Sequence, residues 1–145
     1  MSALESWLDR YGRAWEAKDT AAFVGLFADD ASYHWTPYRA AQRGRAELAA
    51  AFEAAIARQR DIVFTHTIWS SSPAVCHWHC EFVRVPGDHR VRLDGVFHMT
   101  FDSQGLCTEF REWWHSDESD RGETENQAET QRHAAAQSSN TEMRR

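Results

Sequence analysis

Residues 75–115 read VCHWHCEFVRVPGDHRVRLDGVFHMTFDSQGLCTEFREWWH, and the period of this stretch decides the fold. From Val75 to Val85, Cys76, Trp78, Cys80 and Phe82 share one face while His77, His79 and Glu81 take the other. Pro86-Gly87-Asp88 makes a turn. The next segment, Arg90 to Phe101, sets Leu93, Gly95, Phe97, Met99 and Phe101 against Asp94, His98 and Thr100. After the turn Asp102-Ser103-Gln104-Gly105, Leu106 to His115 places Thr108, Phe110, Glu112 and Trp114 on one side. Alternation at period two, broken only by short turns, predicts consecutive hairpins and hence an antiparallel sheet.

Upstream the same period starts at Asp61. Ile62, Phe64, His66 and Ile68 alternate with Val63, Thr65, Thr67 and Trp69, and Ser70-Ser71-Ser72-Pro73 ends the segment. Before Asp61 the spacing is helical. Leu4, Trp7, Leu8, Tyr11, Ala14 and Trp15 form the apolar stripe of a helix over residues 3–18. Asp19 is a suitable cap for a second helix, Thr20 to Phe27. A short strand is expected at Ala31 to Thr36, closed by Pro37, and a loop over Tyr38 to Arg43. Gly44 then opens a third helix, Arg45 to about Arg58. The order predicts an α+β layer fold in which three N-terminal helices cover one face of the sheet.

Composition assigns this fold to part of the chain. All seven Trp, eight Phe and three Tyr of the 145 residues lie between Trp7 and Trp114. Residues 1–115 are therefore the expected domain, and residues 116–145, with no Val, Ile, Leu or aromatic residue, an expected disordered polar tail. The net charge of −6 is spread over both parts with no basic patch, which argues against nucleic acid as a partner. No apolar run approaches the ~18 residues of a membrane span. The N-terminal residues lack the charged-then-apolar order of a signal peptide, so a cytoplasmic location is expected. Three cysteines imply no disulfide framework.

Four phrases carry a family likeness: Arg10-Tyr11-Gly12-Arg13-Ala14-Trp15-Glu16-Ala17-Lys18-Asp19, Leu26-Phe27-Ala28-Asp29-Asp30-Ala31, Arg43-Gly44-Arg45 and Phe101-Asp102-Ser103-Gln104-Gly105-Leu106. Together they resemble the SnoaL-like, polyketide-cyclase-like branch of the nuclear-transport-factor-2-like superfamily, with ketosteroid isomerases as distant kin. The likeness covers about residues 3–115. It implies a cone: a curved sheet wrapped around the helices, with an apolar pocket on its concave face. The pocket would be lined by Trp78, Cys80, Phe82, Phe97, Met99, Phe110, Glu112 and Trp114, by Tyr11 and Trp15 from the first helix, and by Trp35 and Tyr38 at the mouth. The resemblance also implies pairing of two copies through their sheets, for which the outward Trp69, Val83 and Trp113 are candidates. It does not choose among isomerases, dehydratases, cyclases, hydrolases and binding domains.

The ketosteroid-isomerase route needs a carboxylate before the proline that ends the first strand, where this chain has Trp35-Thr36-Pro37. That family's second acid falls at about Phe97, and only its tyrosine is matched, by Tyr11. Steroid isomerisation by that route is therefore not expected. Glu112, between Phe110 and Trp114, is the strongest candidate: an unpaired carboxyl on a buried face has a raised pKa and suits acid–base work. Its structural alternatives are an ion pair with an arginine such as Arg92 or Arg45, or a shift of strand phase that leaves it on the outer face. His66 could act as a base facing Glu112 or serve as a core histidine. Tyr11 could donate to a substrate oxygen or simply pack. Cys76-His77-Trp78-His79-Cys80 cannot converge on one metal from a strand, though His77 and His79 could form half a site with His98 or His115. No metal and no cofactor is called for.

The expectation is a homodimeric binder of an apolar or aromatic small molecule. Its potential activity is cofactor-free chemistry on a carbonyl compound through Glu112, Tyr11 and His66. The alternative is a non-catalytic interaction module whose cavity its own tryptophans fill.

Overall fold

The computed structural model describes residues 1–118; the expected tail lies outside these residues except for its first three positions. Three helices, α1 (Ala3–Ala17), α2 (Thr20–Val24) and α3 (Gly44–Ile56), accompany six strands. These are β1 (Phe27–His34), β2 (Gln42–Arg43), β3 (Gln59–Ser71), β4 (Ala74–Arg84), β5 (His89–Phe101) and β6 (Cys107–Asp117).

Local chemistry sets the helix ends. The Ser2 hydroxyl accepts from the Glu5 amide and starts α1, and Lys18 closes it in the left-handed region. The Asp19 carboxylate then caps α2 by accepting from the Ala22 amide. α2 is three residues shorter than its apolar stripe suggests, because Phe27 enters β1 and pairs with Cys107. Sheet hydrogen bonds made across the fold override a locally helical pattern here.

The strand order is β2-β1-β6-β5-β4-β3. β3 to β6 form the expected antiparallel meander, and the edge pair β1–β2 is antiparallel too. The one departure from an all-antiparallel sheet is β1, which lies parallel to β6. This pairing joins the N-terminal third of the domain to its last strand.

The concave face meets α1 across a core made largely of rings. Trp7 donates from Nε1 to the Leu26 carbonyl at 3.0 Å, and its ring stacks on Tyr11 with centroids 5.6 Å apart. Phe23 of α2 stacks on Phe52 of α3 at 4.1 Å. Gly12 lets α1 approach β3: a Cβ there would lie 2.6 Å from the Phe64 ring. The fold is the expected α+β cone.

Candidate functional site

Glu112 comes to its position through the β5–β6 register, which sets it opposite Phe97, with Phe110 opposite Met99 and Trp114 opposite Gly95. On the other side of β6, Tyr33 of β1 pairs with Phe110. Phe97 and Phe110 are fully buried, and Glu112 is only 5 % exposed. Neither expected arginine partner reaches it. Arg45 donates to the Phe27 carbonyl and pairs with Asp29, while Arg92 pairs with Asp117.

An uncompensated carboxyl in that setting resists ionisation. Burial pushes the Glu112 pKa up to about 8, and the Tyr33 hydroxyl, which favours the carboxylate, pulls it only part of the way back. At neutral pH the group is therefore mostly a protonated acid. Its Oε2 is buried without a hydrogen-bond partner. Beside it the hydroxyls of Tyr11 and Tyr33 meet at 2.8 Å. Burial, and then the nearby Glu112 carboxylate, hold both phenols well above their ordinary pKa. The site can thus donate a proton or a hydrogen bond, but its tyrosines cannot serve as bases near neutrality.

The surroundings of Glu112 are aromatic. Trp78 stacks on Phe97 at 4.8 Å and tilts against Trp15 at 5.8 Å. Trp15 is anchored by its Nε1–H, which donates to Gln59 Oε1 at 2.8 Å. Trp35 lies 4.8 Å from Tyr33 and continues that face beyond β1. The indole N–H of Trp78 is buried and, like Glu112 Oε2, has no partner. Phe82 and Met99 are buried on the same faces of β4 and β5.

Other expected members of the site are placed or engaged differently from expectation. His66 does not face Glu112; its Nε2 lies 2.7 Å from Glu5 Oε2 of α1. Trp114 keeps to the Glu112 side of β6 but is 44 % exposed, because the strand there outruns the cover of the helices. Tyr38 is 79 % exposed and belongs to the surface loop after β1. Tyr11 is enclosed by Trp7, Trp15, Phe64, Phe97 and Phe110, so its hydroxyl serves Tyr33. On the convex face His77 and His79 both engage Asp94, at 2.8 and 3.4 Å, while Cys76 and Cys80 point inward and are free.

Tyr33 is the member that sequence reading left out. Its signal was there in Trp35: within the expected strand Ala31 to Thr36 the two are two residues apart and share a face.

The SnoaL-like domain family matches residues 8–110. No curated protein matches the chain by sequence. Among solved structures, ketosteroid isomerase from a Mycobacterium species aligns with a TM-score of 0.66 at 25 % identity, covering 79 % of this chain and 95 % of that one. SalBIII, an epoxide hydrolase/cyclase-like enzyme of pyran ring formation in salinomycin, aligns at 0.65 and 17 % identity over 77 % of this chain and 90 % of its own. RV0760c of Mycobacterium tuberculosis, in complex with estradiol-17beta-hemisuccinate, gives 0.67 at 23 % identity, covering 79 % and 95 %.

Proposed function

The chain belongs to the SnoaL-like domain family, and we propose that it binds an apolar carbonyl compound, aromatic or polycyclic, and acts on it by cofactor-independent acid–base chemistry. Cyclisation, isomerisation and dehydration are the reaction types this chemistry serves. The observation that carries the reading is Glu112: buried, unpaired, held near pKa 8, with one oxygen unsatisfied. Placed against a carbonyl oxygen, the protonated carboxyl donates a hydrogen bond that polarises the C=O and stabilises negative charge developing on that oxygen, and a raised pKa keeps its proton in place at neutral pH. Trp78 Nε1–H is a second unsatisfied donor on the same concave side and suits a second oxygen of the ligand. Tyr33, braced by Tyr11, tunes the acid. The ring walls supply the apolar contact that orients a flat substrate. A ligand bound by the mycobacterial relative supports the apolar class.

The test is a panel of polycyclic aromatic ketones and polyketide-like carbonyl compounds, scored for Trp fluorescence quenching and turnover. Glu112→Gln should keep binding and lose turnover by roughly 10²- to 10⁴-fold. Unchanged binding and turnover in that variant would remove Glu112 from the role.

A second reading rests on the packing around Tyr11, whose ring is met on every side by other aromatic side chains. On that reading the protein is a non-catalytic interaction module filled by its own rings, and no compound in the panel binds. Either reading accommodates a homodimer through the convex sheet face, where Trp69 (61 % exposed) and Trp113 (49 % exposed) stand outward. No helix among the described residues is long and apolar enough to cross a membrane. Three free, buried cysteines suit the reducing cytoplasm.

A further inference from the structure

We propose that Glu5, Asp9 and His66 form a binding site for one divalent first-row transition-metal ion, on the flank of the domain between α1 and β3. One ligand atom from each residue lies within 4.8 Å of the other two. Small side-chain rotations convert that spacing into shared coordination at about 2.0–2.2 Å. The three residues are also fixed from both sides. Glu5 sits in the first turn of α1, held by the Ser2 cap, and Asp9 follows one helical turn later on the same side. His66 reaches them from β3.

Three independent features point to a cation there. The His66 side chain is only 9 % exposed, in a stripe otherwise made of Phe64 and Ile68, so its imidazole is directed at the carboxylates by burial. Glu5 and Asp9 carry like charges at i and i+4, an arrangement that destabilises a helix unless a positive charge intervenes. Among the described residues Asp9 has no hydrogen bond or ion pair. Beside Asp9 and His66 opens a groove of about 230 Å³, lined by these two with Arg13, Glu16 and the apolar Leu8, Gly12 and Phe64, with room for water or a small anion on the remaining coordination positions.

The donor set names the class. Two carboxylates with one imidazole nitrogen fit zinc, manganese or cobalt, whereas calcium and magnesium favour oxygen ligands alone. Bound there, the ion cross-links the first helix to the edge strand and keeps positions open toward Arg13 and Glu16. This centre shares no residue with the Glu112 site and stands whether or not that site is catalytic.

The experiment uses the full chain without an affinity tag, stripped with a chelator. Titration with Co²⁺ followed by visible absorption, and with Zn²⁺ by calorimetry, should give saturable 1:1 binding and a rise in Tm with metal concentration. Asp9→Asn removes a carboxylate that has no other partner, so this variant keeps the fold. It and His66→Gln should each weaken binding by roughly tenfold or more. Absence of saturable binding, or affinity undiminished in Asp9→Asn, would overturn the proposal.

Discussion

The hydroxyls of Tyr11 and Tyr33 meet at 2.8 Å, and Tyr33 also acts on the carboxyl of Glu112. One phenol thus links the first helix to the acid on the last strand. Because its hydroxyl favours the carboxylate, Tyr33→Phe should move the Glu112 titration above its present value of about 8. Infrared titration of the protonated carboxyl, referenced to Glu112→Gln, reads this directly. A midpoint that stays put or falls contradicts the assignment.

The same acid makes stability depend on pH. Glu112 has a folded pKa of about 8 against an ordinary 4.5, so the folded state binds its proton more tightly than the unfolded state. The stability this contributes is complete below about pH 4.5, drains away as pH rises through 8, and is absent above. At about 1.4 kcal/mol per unit the full swing is on the order of 5 kcal/mol. In paired urea melts, Glu112→Gln should gain on the parent protein steadily between pH 5 and 8. Parallel curves would refute the uncompensated carboxyl.

Gly95 of β5 lies directly opposite Trp114 of β6. A Cβ there would sit 2.2 Å from the Trp113 carbonyl oxygen and 2.8 Å from the Trp114 Cβ. With the Trp114 Cα at 2.9 Å, two of these three atoms are backbone and cannot step aside. Gly95→Ala should therefore cost about 2 kcal/mol or more, visible as a lower urea midpoint at constant slope.

The thiols should be inert in the native protein. Burial pushes Cys76 and Cys107 up to about 12 and Cys80 up as well. A disulfide reagent at pH 8 should label none of the three quickly, and all three once denaturant is added. Fast native labelling of any one would show that its cover opens.

Much of this was legible in the sequence because period two is a local property. The faces of β4, β5 and β6, the burial of Phe97 and Glu112 and the α+β order all follow from alternation and turns. What escaped depends on pairings between distant segments. No hairpin announces the parallel β1–β6 ladder, so nothing local marks Phe27 as a strand residue. Alternation placed His66 inward correctly, yet its partner Glu5 comes from the polar side of another element. Period also gives a face and not a depth. Trp114 shares its side of β6 with Glu112 but rises past the helices into solvent.

The β1–β6 ladder sets the order in which the domain is completed. During synthesis α1, α2 and β1 leave the ribosome first, and the strand that Phe27 and Tyr33 must pair with comes last. The meander of β3 to β6 folds from neighbours, whereas this closure waits on a long loop and so belongs to the slow part of folding. Any nascent or truncated chain that stops before Cys107 lacks both Glu112 and the strand that Tyr33 pairs with. The ladder therefore delays assembly of the Tyr33–Glu112 cluster until nearly all of the domain exists.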